Sequence, residues 1–93
     1  MNIEFEWDEN KNVLNQINHH VSFEEATLVF SAPDSIERYD WDHSLLEDRW
    51  LIYGMIGLDV LIVSFTERDG IIRIISARKA EKKEEEEYFK WVW

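Results

Sequence analysis

Cysteine is absent from the chain. That excludes disulfide staples and thiolate metal sites, and it fits a reducing compartment. Proline occurs once and glycine three times, which leaves no Pro/Gly-rich linker to divide the sequence. Long apolar runs are also missing. The longest, Trp50 to Leu58, holds nine residues, two of them glycines, whereas a membrane helix needs about 20. The opening residues, Met1-Asn2-Ile3-Glu4-Phe5-Glu6, show neither a basic n-region nor an apolar h-region. No secretory signal and no membrane association are expected, and a cytoplasmic location is.

Basic residues are scarce too: 10 Lys and Arg stand against 20 Asp and Glu, for a formal net charge of −10. Taken whole, that balance disfavours a polyanionic partner, because phosphates are neutralised by Lys and Arg. The distribution is uneven, however. Residues 67–83 hold Arg68, Arg73, Arg78, Lys79, Lys82 and Lys83 against Glu67, Asp69 and Glu81, a short basic island in an acidic chain. The acidic remainder suits a basic partner, or simply solubility. What is abundant is apolar surface: 45% hydrophobic residues and 14% aromatic, with five Trp. One domain over residues 1–93 with a packed core follows. Its small size makes a partner that covers apolar surface valuable.

Along the chain, Ile3, Phe5 and Trp7 alternate with Glu4 and Glu6, the period of a half-buried strand. Asp8 caps a short helix with Val13, Leu14 and Ile17 on one face, and Asn18-His19-His20 breaks it. Ser22-Phe23-Glu24-Glu25 is a capping box opening a second helix that ends at Ala32-Pro33-Asp34. Ser35 to Trp41 reads as a weak strand, and Asp42 to Asp48 as a loop or one turn. Arg49–Ile56 and Val60–Phe65 form a hairpin around Gly57-Leu58-Asp59, and Asp69-Gly70 turns the chain into a strand over Ile71–Ala77. Lys79 to about Trp91 is a charged helix built from strong helix formers. The order β-α-α-β-β-β-β-α predicts an α+β fold. Its antiparallel sheet has about four to five strands, two N-terminal helices and one C-terminal helix, with the helices on one face.

Several blocks resemble the BrnT-like toxins. Phe5-Glu6-Trp7-Asp8, Lys11 and Val21-Ser22-Phe23-Glu24-Glu25-Ala26 with Val29-Phe30 are similar to that family's opening. Asp42-His43-Ser44, Glu47 and Arg49 are similar to its middle. Thr66-Glu67-Arg68 and Ile72-Arg73-Ile74-Ile75-Ser76-Ala77-Arg78-Lys79-Ala80 are similar to its closing signature, the most specific block. The resemblance spans residues 5 to about 88. It implies a RelE-like fold and an RNA-cleaving bacterial toxin of a type II toxin–antitoxin system that inhibits translation. It also implies a cognate basic, DNA-binding antitoxin in a hetero-oligomer such as a two-plus-two assembly, with DNA reached only through that antitoxin. The chain departs from the family at Asn18-His19-His20, where Lys-His-Gly is usual, and in its acidity.

The chemistry can be built from the residues. RNA carries its own nucleophile, the 2′-hydroxyl. A metal-free ribonuclease then needs a base, an acid and cations for charge developing at phosphorus. His43 and Glu47 are candidate acid/base groups, on one face if the stretch is a helical turn. Arg73 and Arg78 are candidate catalytic phosphate clamps. Arg68, Lys79 and Lys11 are candidate RNA-binding cations. His19-His20 and Asp40-x-Asp42-His43 are the candidates for a metal, but adjacent histidines usually point apart and no His-x3-His spacing occurs, so no metal or other cofactor is expected. Most Trp and Tyr are expected in the core or at a partner interface rather than stacked on bases. The competing reading is a catalytically weakened homologue that serves as an antitoxin-binding module. A third is a plain acidic interaction domain.

Overall fold

The computed structural model describes residues 2–92. Its elements are β1 (Glu4–Glu6), α1 (Glu9–His19), α2 (Phe23–Thr27), β2 (Ile36–Tyr39), β3 (Trp50–Ile56), β4 (Asp59–Arg68), β5 (Ile71–Lys79) and α3 (Lys82–Val92). A 3-10 turn over Leu28–Ser31 continues α2, and a second covers Trp41–His43. One five-stranded sheet runs in the order β1-β5-β4-β3-β2. Pairing is antiparallel throughout β2 to β5, but β1 lies parallel to β5. The sheet is therefore mixed, not antiparallel as the short turns suggest. Tight turns fix only the strands they join. β1 reaches the far edge through two helices, and that long connection leaves its direction free.

Local signals act as the sequence indicates. The Asp8 side chain accepts from the amides of Asn10 and Lys11 at the start of α1, and Ser22 with Glu25 closes the capping box of α2. Asp69 and Gly70 both take positive φ, 52° and 80°, which suits the right-handed twist of a two-residue hairpin. α2 is shorter than expected. After Thr27, whose hydroxyl donates to the Glu24 carbonyl, the chain tightens into the 3-10 turn, and Ala32 before Pro33 is extended. That turn packs against β3 at Gly54, where a Cβ would lie 2.9 Å from Val29 Cγ1.

The helices also cover both faces of the sheet rather than one, because the central strand β4 is apolar on both sides. Leu61, Val63 and Phe65 join Ile52, Ile74 and Ala77 under Val21, Phe23, Ala26 and Val29. Phe30 bridges Phe5 and Phe65 by edge-to-face contacts at 5.1 and 4.9 Å. Val60 and Ile62 point the other way and pack with Tyr53 against Tyr88 of α3. The Tyr88 hydroxyl donates to the Asp34 carbonyl at 2.8 Å and ties α3 to the entrance of β2. Trp7 packs edge-on against Phe23; Trp93 lies outside the described residues.

Candidate active site

α3 covers only part of its face, and beyond it the sheet is polar. A β-bulge sets this up. Ser64 pairs with Ser76 but Phe65 pairs with Ile74, so Ile75 is an extra residue in β5. Residues five apart fall on opposite sides of a regular strand. The bulge restores Arg73, Ser76 and Arg78 to one side while Ile74 and Ala77 share the core side. Sequence periodicity cannot reveal this, because the extra residue is defined only by the partner strand.

Facing this polar side is the segment from Asp40 to Arg49, held in a fixed loop. Ser44 Oγ donates to the Asp40 carbonyl at 2.6 Å, lies 3.3 Å from the Arg49 carbonyl, and accepts from the Arg49 amide at 2.9 Å. The Asp40 amide donates to the Arg49 carbonyl at 2.8 Å. Thr66 Oγ1 and the Tyr39 hydroxyl then bind the Asp48 carbonyl and carboxylate at 2.6 and 2.7 Å. Between loop and sheet lies a cleft of about 320 Å³, lined by Asp40, Asp42, His43, Arg49, Leu51, Ser64, Ile75, Ser76 and Arg78. A slightly larger hollow of about 360 Å³ is lined by Glu37, Asp48 and Glu67 with no cation, the wrong sign for a phosphate.

Within the cleft, His43 Nδ1 lies 3.0 Å from the Asp40 carboxylate, which is largely buried while the imidazole is open to solvent. With Nδ1 donating, the ring is oriented and Nε2 is left to exchange a proton. Arg78 makes a two-point contact with Glu84 of α3, Nη1 to Oε1 at 2.7 Å and Nη2 to Oε2 at 2.8 Å. That contact raises the Arg78 pKa. Hydrogen bonding to Arg78, aided by the Glu81 amide against partial burial, lowers that of Glu84. Arg49 is half-buried, and its Nε is buried without a hydrogen-bond partner. A donor left unsatisfied beside an open cleft costs stability until an acceptor arrives.

The expected site residues are distributed as follows. His43 and Arg78 meet in the cleft. Glu47 does not share a helical turn with His43, since the 3-10 turn stops at His43. It lines an adjoining hollow with His43, Leu45, Leu46 and Arg49, and approaches Arg68 at 3.4 Å. Arg73 lies on the cleft side of β5 but farther along, 3.6 Å from Glu6, and Lys79 pairs with Asp59 at 3.5 Å. Lys11 is not in the cleft lining; it sits on α1, beside β5. Arg49 is the residue that sequence reasoning missed as a site group. Between Asp48 and Trp50 it reads as a surface ion-pair partner, and its only signal was its place in the middle block of the resemblance.

A family model described as the ribonuclease toxin BrnT of type II toxin-antitoxin systems matches residues 7–84, and the chain belongs to that family. The matched span takes in every cleft residue and ends at Glu84. No curated protein matches the chain.

Proposed function

We propose that this chain is a metal-independent endoribonuclease toxin with a RelE-like fold, acting in the cytoplasm to stop translation by cutting RNA in the cleft between the 40–49 loop and β5. The observation that carries the reading is the convergence of an Asp40-oriented His43, Arg49 with its unpartnered Nε, and Arg78 on one concave surface. In the reaction the 2′-oxygen bonds to phosphorus and the bond from phosphorus to the 5′-oxygen breaks. One group takes the 2′-hydroxyl proton and another protonates the leaving oxygen. His43 and Glu47 serve as this pair. Arg49 and Arg78 hold the non-bridging oxygens as charge develops. Arg73 adds positive charge along the same face, while Arg68, Lys79 and Lys11 guide the flanking backbone.

Among the described residues, no three His, Asp or Glu side chains cluster as a metal would require. The reading assigns proton transfer and charge stabilisation to these side chains. Each of Arg68, Arg73, Arg78 and Lys79 faces a carboxylate in the free chain, so RNA must compete for them. A basic, DNA-binding antitoxin completes the system. The test is incubation of antitoxin-free chain with RNA in EDTA, followed by end analysis. Fragments ending in 2′,3′-cyclic phosphate are expected. RNA left intact across pH and concentration would overturn the reading and leave the weakened, antitoxin-binding homologue.

A further inference from the structure

The orientation of α1 is the reverse of an ordinary surface helix. Its buried residues are polar, Asn12 at 1% and Asn15 at 6% exposure, while Val13, Leu14 and Ile17 are 48%, 56% and 65% exposed. Surface helices normally turn their apolar stripe to the core. Here hydrogen bonds hold the helix the other way round. Asn15 Nδ2 donates to the Ala77 and Val21 carbonyls at 2.7 and 2.8 Å, and the Ala77 amide donates back to Asn15 Oδ1 at 3.1 Å. The side chain thus completes the β5 edge beyond the end of β1, as a further strand would. Asn12 accepts from the Phe23 amide at 2.8 Å and donates to Glu9 and Glu24. Rolling the helix inward would leave these buried groups unpaired. The apolar arc of Val13, Leu14 and Ile17, spanning about 100° of the helix, is therefore fixed in water.

We infer that this arc is the docking surface for the antitoxin of the system, through an apolar segment flanked by basic residues. The inference rests on the toxin reading above and names where its partner sits. Charge selects the occupant. Glu9 lies one turn before Val13 on α1, and the Asn12–Glu24 bond keeps the acidic first turn of α2, Glu24 and Glu25, beside α1. A second copy would bring the same carboxylates and another −10 against them, whereas an apolar segment flanked by basic residues suits both the arc and the acidic chain that carries it.

The test uses the whole chain and the protein encoded by the reading frame adjacent to its gene, titrated by calorimetry against wild type, Ile17→Asp and Val13→Asp/Ile17→Asp. Both changes are at exposed positions outside the cleft, so the variants should melt like wild type and cut RNA at the same rate. Binding should weaken by about 30-fold or more for the double variant, as at a central interface residue. Three results overturn the inference: variants that bind within a few-fold of wild type, wild type that does not bind the adjacent protein, or an arc that instead holds a dimer of this chain, seen as a wild-type dimer that the variants split. If RNA stays intact while the titration behaves as expected, the ribonuclease reading fails and the docking surface stands.

Discussion

The two faces of the sheet are built to different rules. On the α2 side, Phe23, Ala26, Val29, Val63, Ile74 and Ala77 exclude solvent almost completely and make one continuous apolar core. On the α3 side, the fully buried set is smaller, Tyr53, Val60, Ile62 and Tyr88, and beside it Ser64, Ser76, Arg49 and Arg78 line an open cleft beneath a clipped loop. A single bulge in β5 separates the two by sending Ile74 and Ala77 one way and Ser76 and Arg78 the other. Stability is concentrated on one face, which leaves the second free to hold an incompletely satisfied cation such as Arg49.

The contrast breaks most sharply at Phe23, which is 0% exposed. Phe23→Ala should cost about 3–5 kcal/mol, read as a lower midpoint in urea denaturation. In a domain this small that amount threatens folding itself. Asn15→Ala comes next. It leaves the Ala77 amide and carbonyl without their partner at the β5 edge, a loss of about 1–3 kcal/mol, with faster amide exchange at Ala77 as its local signature.

A smaller effect belongs to the contact between α3 and the cleft. The Glu84 carboxyl pKa is lowered chiefly by hydrogen bonding to Arg78. Its contribution to stability is thus present above the ordinary glutamate range and lost as pH falls through the lowered value. Glu84→Gln should flatten that part of the acid limb of a stability-against-pH curve while changing little at the alkaline end. An unchanged acid limb would mean that the ion pair does not hold α3. The smallest effect is at His20, which caps α1 in the left-handed region at φ 59°. His20→Gly relieves the side chain's strain there and should raise the melting midpoint by an amount equivalent to under about 1 kcal/mol.

Legibility in the sequence followed range. The Asp8 cap, the Ser22–Glu25 box and the Asp69-Gly70 turn depend on neighbours within four residues, and each forms where the residues announce it. The run Val60-Leu61-Ile62-Val63 carried the information that β4 is covered twice, yet the helices on each side belong to opposite ends of the chain. The parallel β1–β5 pairing and the bulge at Ile75 are agreements between distant segments, so no local pattern records them. Within the cleft, His43 and Arg78 stood out as chemistry-bearing residues in a basic or polar context. Arg49 did not, because its isolation exists only once the loop folds over the sheet. Asn12 and Asn15, three apart, were the available sign that α1 turns a polar side inward.

The central claim is that the α3-side cleft is where RNA is cut. Single-turnover cleavage by wild type, Arg49→Ala and Arg78→Ala, each checked for its melting transition, tests it most directly. Loss of either preorganised donor should slow cleavage by about 10²–10³ with the fold retained, since neither side chain belongs to the apolar core on the α2 face. Folded variants that cleave within a few-fold of wild type would contradict the account and move the site elsewhere on the chain.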